Sequence, residues 1–209
     1  MKTIIENISN EYIEKKSKFI ANIFYVSTEE EAENKIKQIK KKYYDAKHNC
    51  YAYSITNKKG QINKMSDDGE PSGTAGAPIL NIINKNELTN ILIIVTRYFG
   101  GILLGTGGLV RAYSEAVLGA INKSNIQIEQ EGYDIEVSIE YKDLEKLKYY
   151  CNQNNINIKN TEYNEIIKCI LEMTDGEKNK ILDTKEELNF KIQEIKVLKQ
   201  IKIRKNIEI

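Results

Sequence analysis

Residues 90–112 read NILIIVTRYFGGILLGTGGLVRA. The first nine are a nearly unbroken apolar run rich in β-branched side chains, the pattern of a strand buried on both faces. Gly100 and Gly101 end that run, and Gly105, Gly107 and Gly108 follow. A helix is then expected from about Gly107 to Lys123, where Leu109, Ala112, Ala116, Gly119 and Ala120 form a face of mostly small residues suited to close packing. A buried strand, a glycine-rich connection and a helix in that order set the centre of the first domain.

Outward from this centre the pattern stays mixed. Residues 18–26, KFIANIFYV, read as a strand. Thr28 is placed to N-cap a helix over 29–43, with Glu31 as its capping-box partner, acidic residues in the first turn and lysines in the last. A second strand is expected over 50–56, a turn at Asn57–Gly60 and a short returning strand at 61–65. The stretch SDDGEPSGTAGAPIL, residues 66–80, holds three of the 12 glycines and both prolines, and reads as a loop that opens a helix near Thr74 running to Asn84.

Composition changes near Asn125. Strands at 132–141, 156–164, 165–174 and 192–203 and helices at 142–155 and 176–189 give the order βαββαβ, the ferredoxin-like pattern. The chain is therefore expected to be α+β with two domains, 1–126 and 127–209.

The 209 residues are 41% hydrophobic and 29% charged, ordinary for a soluble globular protein. No apolar run reaches the length of a membrane-spanning helix and the start lacks a signal-peptide core, so no membrane association and a cytoplasmic location are expected. Net charge is +1, with 17 Lys/Arg against 13 Asp/Glu in 1–126 and 14 against 17 in 127–209, a balance that names no partner by itself. The cysteines Cys50, Cys151 and Cys169 form no Cys-x-x-Cys, and with His48 as the single histidine an ordinary zinc site lacks ligands. Reduced thiols are expected.

Several stretches carry possible chemistry. Glycines 100, 101, 105, 107 and 108 permit positive φ and exposed N–H groups at a helix start, a ready anion site, with Arg97, Thr106 and Arg111 to add contacts; the competing reading is a tight turn with glycines for packing. A P-loop would need lysine after Gly105, where Thr106 stands, and a Rossmann fingerprint from Gly105 would need glycine at Val110. Asp67, Asp68 and Glu70 could hold Mg²⁺ through waters, or Asp and Ser side chains could simply bond nearby N–H groups in an Asx-type turn. Ser72 and Thr74 sit among glycines, where hydroxyls can receive phosphate. His48 is two residues from Cys50, on one face of a strand, so a Cys/His pair is conceivable beside a purely structural histidine. Lys16 and Lys18, and lysines 40–42, could meet phosphates or simply be solvated.

Four segments, in order, resemble the Impact/YigZ family: Lys15–Ile20 (KKSKFI), Ala46–Ala52 (AKHNCYA), Ser66–Gly76 (SDDGEPSGTAG) and Arg97–Ala112 (RYFGGILLGTGGLVRA). The resemblance implies a first domain with the α/β sandwich fold of the second domain of ribosomal protein S5, and a second like a ferredoxin-like domain of the translocating elongation factor. Eukaryotic relatives restrain a starvation-responsive kinase of translation initiation. The resemblance brings no catalytic residues and no cofactor. The expectation is a non-catalytic, translation-related protein that binds RNA, the ribosome or a translation factor through the glycine-rich surface. The alternative is an enzyme acting on a phosphorylated small molecule with Mg²⁺ through the same loop.

Overall fold

The computed structural model describes residues 1–57, 60–185 and 188–206. It divides into two compact units, Met1–Ile128 together with Asn206, and Glu129–Lys205.

The first unit contains strands β1 (Lys2–Ile4), β2 (Ile8–Glu14), β3 (Ser17–Tyr25), β4 (His48–Asn57), β5 (Gly60–Ser66) and β6 (Ile91–Tyr98), with helices α1 (Glu29–Lys42), α2 (Gly76–Lys85) and α3 (Gly105–Ile121). Five strands form an antiparallel sheet in the order β2-β3-β6-β4-β5. Strand β6 lies at its centre and is buried on both faces. Ile91, Ile93 and Val95 join the core beneath α2 and α3, while Leu92 and Ile94 join the core beneath α1 with Ala32, Ile36 and Ile39. Each of these Ile, Leu and Val side chains contributes roughly 1.5–3 kcal/mol on burial. Thr28 caps α1, its Oγ1 accepting from Glu31 N at 3.2 Å, and Glu31 Oε2 accepts from Ser27 N at 2.7 Å.

Strands β1 and β2 extend the fold upstream of the expected strands. Strand β2, ISNEYIE, turns Ile8, Asn10 and Tyr12 inward, so its alternation is diluted by a polar residue. Asn10 earns its place by donating to the Ala116 carbonyl of α3, and Gly119 leaves room for it. The β2–β3 hairpin turns on Lys15 and Lys16, with φ of 44° and 64°. Such turns ordinarily use Asn-Gly, and left-handed backbone costs a lysine about 1–2 kcal/mol. Gly100 seals this tip. Its N–H donates to Ser17 Oγ at 3.1 Å, and a Cβ there would collide with the Lys16 backbone.

The second unit takes most of β7 (Ile126–Ile139), then α4 (Leu144–Gln153), β8 (Asn157–Tyr163), β9 (Ile167–Thr174), α5 (Asp175–Asp183) and β10 (Ile192–Asn206). The first three residues of β7 pair with β1, within the first unit. In the second unit the sheet order is β10-β7-β9-β8, the ferredoxin-like arrangement. One face packs Ile135, Val137, Cys169 and Leu171 against Leu147 and Ile181 of the helices. The other pairs Lys168 with Glu136 and Lys159 with Asp134 and Glu172, so its charges alternate in sign.

Several boundaries differ from expectation: α3 runs Gly105–Ile121 in place of 107–123, β4 starts at His48 in place of Cys50, and β7, α4 and α5 shift as well. Strand β7 starts at Ile126. Helix α4 starts at Leu144 after a 3₁₀ turn over Tyr141–Asp143. Helix α5 ends at Asp183, because the chain must leave the helix to seat Phe190 and Ile192 in the core. Lys58 and Lys59 of the expected turn, and Glu186 and Glu187 of the expected helix, lie outside the described residues. All three cysteines are free and buried.

Two glycine substitutions should separate packing from conformation. Gly100→Ala drives a methyl into the hairpin backbone and is expected to cost about 1–3 kcal/mol. Gly107→Ala adds a methyl in open space on a helix and should stabilise by about 0.5–1 kcal/mol. Urea midpoints of the two variants check both signs.

Candidate functional site

The acidic turn after β5 organises the site. Glu70 N donates to the Asp67 carbonyl at 2.9 Å across Asp68 and Gly69, whose φ values are 43° and 87°. Gly69 passes against the His48 ring at ordinary van der Waals distance, and its left-handed φ is what favours glycine there. Asp67 reaches forward to the start of α2: Oδ1 accepts from Ala75 N and Gly76 N at 3.0 and 2.8 Å, and Oδ2 from Gly73 N at 2.9 Å. Ala75 offers no capping side chain, so Asp67 caps the helix from eight residues upstream. Burial raises its pKa, but the N–H donors of Gly73, Gly76 and Ala75 outweigh that and hold it below the ordinary value. Asp68 accepts from Asn49 N at 2.7 Å and pairs with Lys40 at 2.6 Å.

Glu70 turns inward, and its side chain is almost wholly buried. Its Oε1 accepts from Arg97 Nη1 at 2.6 Å and from the Tyr113 hydroxyl at 2.9 Å. Arg97, 6% exposed, lies near the Phe19 and Phe99 rings, 5.4 and 5.6 Å from their centroids. Its Nε has no partner among the described residues. His48 Nδ1 lies 2.9 Å from the Asp68 carbonyl and must therefore donate to it, which leaves Nε2 facing Glu70 at 3.8 Å. Cys50 Sγ contacts the Asp67 carbonyl at 2.9 Å and the Tyr113 hydroxyl at 3.2 Å. Burial pushes this thiol up to about 12, so it stays protonated and is no nucleophile; the Cys/His pairing conceivable from spacing is replaced by a structural hydrogen bond. Burial, then Cys50 and Glu70, likewise raise the Tyr113 phenol.

The glycine-rich connection lies at the surface. Gly101, Gly105, Thr106 and Gly107 are exposed, Gly100 and Gly108 half-buried, and Leu103 is 84% exposed. Helix α3 begins without a side-chain N-cap and without an acidic residue in its first turn, and Arg111 is exposed farther along it. Lys16 is exposed at the hairpin tip that Gly100 abuts, whereas Lys18 pairs with Glu11 at 3.1 Å. Ser72 is exposed, while Thr74 is buried and donates to the Pro71 carbonyl at 2.7 Å. A cavity of about 400 Å³ lies between the acidic turn and α3, with His48, Glu70, Arg97, Phe99, Leu104 and Thr106 in its lining. A larger hollow of about 890 Å³ in the second unit contains Asp143, whose carboxylate already pairs with Lys146. Among the described residues no cluster of His, Cys, Asp and Glu is arranged to hold a metal ion, and no helix is long and apolar enough to cross a membrane.

Residues 15–121 match the Impact N-terminal domain family, and residues 137–183 match a domain of unknown function, DUF1949. The IMPACT family member YvyE of Bacillus subtilis is 37% identical over 194 residues, 93% of this chain and 89% of that protein. The chain belongs to the IMPACT family. The family member YigZ of Escherichia coli is 33% identical over 79% of this chain and 78% of its own length. A crystal structure of a hypothetical protein, 27% identical, covers 95% of this chain and 97% of its own with a TM-score of 0.61. The four segments that carry the family resemblance converge in this IMPACT chain. Phe19 comes from the first, His48 and Cys50 from the second, Asp67, Asp68 and Glu70 from the third and Arg97 from the fourth, all in or beside one hydrogen-bonded network. Tyr113, one residue past the fourth segment, was not legible as a participant, because a helix tyrosine carries no signal of the carboxylate it will meet.

Removing the carboxylate in Glu70→Ala leaves Arg97 buried and unpaired, and should cost about 3–5 kcal/mol, with Glu70→Gln losing less. Asp67→Asn should lower stability by about 0.5–2 kcal/mol at neutral pH. Because the folded pKa of Asp67 is depressed, its charge stabilises the fold above the unfolded value of about 3.9 and ceases to as pH falls through the folded value. The wild-type advantage over Asp67→Asn in urea melts should therefore shrink in acid; a gap that widened would contradict the assignment.

Proposed function

We propose that this IMPACT-family chain is a translation-related regulator that works by binding, with RNA, the ribosome or a translation factor as its target. Its contact surface joins the Lys15–Lys16 hairpin tip, the Gly100–Gly101 loop and the first turns of α3. The observation that carries this reading is the contact of the cationic tip with the glycine loop through Gly100, next to a helix start that bears no acidic residue and no cap. Free N–H groups at a helix start and nearby lysines suit an anionic backbone. Arg111, exposed on α3, adds a third cation. Arg97 supports the surface from below, since its charge is already matched by Glu70.

The enzymatic alternative asks Asp67, Asp68 and Glu70 to hold Mg²⁺. Asp67 caps α2, Asp68 holds Asn49 and Lys40, and Glu70 holds Arg97 and Tyr113, so an ion would have to displace all of these. That favours binding over metal-assisted chemistry. The paired charges on the open sheet face of the second unit give it no basic character, and the first unit is the better candidate for polyanion contact.

Sedimentation with ribosomes and with free RNA over a salt series tests the reading. Affinity should fall linearly on a log–log plot against salt, and the Lys15→Ala/Lys16→Ala/Arg111→Ala variant should flatten the slope by about two to three units. Absence of co-sedimentation at low salt would sink the RNA and ribosome targets. An unchanged slope in the variant would remove this surface.

A further inference from the structure

Taking the first unit as the polyanion-binding unit, as proposed above, we infer that its rim at the hairpin end stacks the bases of a single-stranded RNA and sets lysines against the phosphates. The β2–β3 hairpin tip, the end of β6 and the start of β4 meet at one end of the sheet, since Lys18 pairs with Tyr98 and His48 with Arg97 across the strands. The chain leaving α1 joins them there, where Asp45 accepts from the Tyr98 hydroxyl at 2.8 Å. Aromatic rings gather on this rim. Tyr44, just past α1, is 86% exposed, and Phe99, just past β6, is 49% exposed. Tyr43 and Tyr98 are half-buried. The Asp45 hydrogen bond, then burial, then the nearby Asp45, Tyr43 and Tyr44 push the Tyr98 phenol up to about 12, so the three tyrosines form one cluster. Phe99 follows Tyr98 directly and turns to the opposite face of the sheet, so rings stand on both sides of the rim.

Cations lie among the rings. Lys15, Lys16, Lys41, Lys42 and Lys47 are exposed, and none of them forms an ion pair among the described residues. Lys42 Nζ stands 5.0 Å from the Tyr43 ring centroid, and Lys47 shares a cavity lining with Phe99. The neighbouring carboxylates are engaged: Asp45 by Tyr98, Asp68 by Lys40 and Asn49, and Glu14 by Tyr12. The dipole of α1 accounts for Lys41 and Lys42 in its last turn. It does not account for Lys47, which lies beyond the helix, or for the open tyrosine between them. Exposed rings offer faces on which any base can stack, and lysines around them suit the phosphates that join the bases. Duplex RNA keeps its bases stacked inside and offers chiefly its backbone, so the rings favour a single strand.

The test is fluorescence anisotropy of the full chain with an unstructured single-stranded RNA and with a fully paired duplex of the same length, beside ribosome co-sedimentation. The single strand should bind about five-fold tighter or more. Tyr44→Ala/Phe99→Ala should weaken single-strand binding by a similar factor, leave duplex binding and the salt slope unchanged, and melt near wild type, since both rings are open to solvent. Lys42→Ala/Lys47→Ala should instead flatten the salt slope by about one to two units. The chain has no tryptophan, so Phe99→Trp supplies a sole reporter whose emission the single strand should quench and the duplex should not. Equal affinity for the two RNAs, or a single-strand preference that survives Tyr44→Ala/Phe99→Ala, overturns the inference while the polyanion reading stands. Ribosome co-sedimentation without binding to either RNA assigns the rim to a protein partner and overturns it as well. Absence of both RNA binding and co-sedimentation at low salt sinks the inference together with the RNA and ribosome targets.

Discussion

The first unit depends on one buried charge pair, Arg97 with Glu70, closed by the Tyr113 hydroxyl. Arg97 sits at the end of the central strand, Glu70 at the end of the acidic turn and Tyr113 on α3, so three elements distant in sequence share a single carboxylate oxygen. Buried charges are tolerable only when matched, and the match here is directional as well as electrostatic. The acidic turn must stay where it is for Glu70 to reach Arg97. Asp67 and Asp68 keep it there by bonding backbone groups on either side, to α2 and to β4. Three neighbouring carboxylates thus have three separate roles, and a stretch that reads as a cluster in sequence is dispersed in space.

Much of the fold was legible because local physics and tertiary environment agree. Strand β6 is apolar on both faces because a layer covers each, and α1 carries its cap, acidic start and basic end together. The βαββαβ order of the second unit follows from alternating elements of ordinary length. Where the two disagree, the reading fails. Strand β2 holds an inward asparagine that is correct only because α3 presents a carbonyl and a glycine to it. Helix α4 starts late because a 3₁₀ turn precedes it, and periodicity does not distinguish the two.

The candidate site was legible in residue type more than in direction. The glycines after Gly100 do form an exposed helix start, and the acidic segment is a hydrogen-bonded turn. Arg97, by contrast, reads as a cation open to an anion and is instead committed to Glu70, since nothing local to a strand end tells that a carboxylate 27 residues upstream will fold against it. Thr74 differs in the same way: its hydroxyl is committed to its own turn. Long-range pairing decides both cases, and spacing along the chain does not encode it.

The three buried cysteines have a practical meaning of their own. With no thiol at the surface, a cysteine-modifying reagent meets this protein only when it opens. Cys50 sits among the hydrogen bonds of the first unit, while Cys151 and Cys169 sit in the core of the second. Alkylation followed residue by residue would thus clock the breathing of each unit separately, with the protein serving as its own reporter.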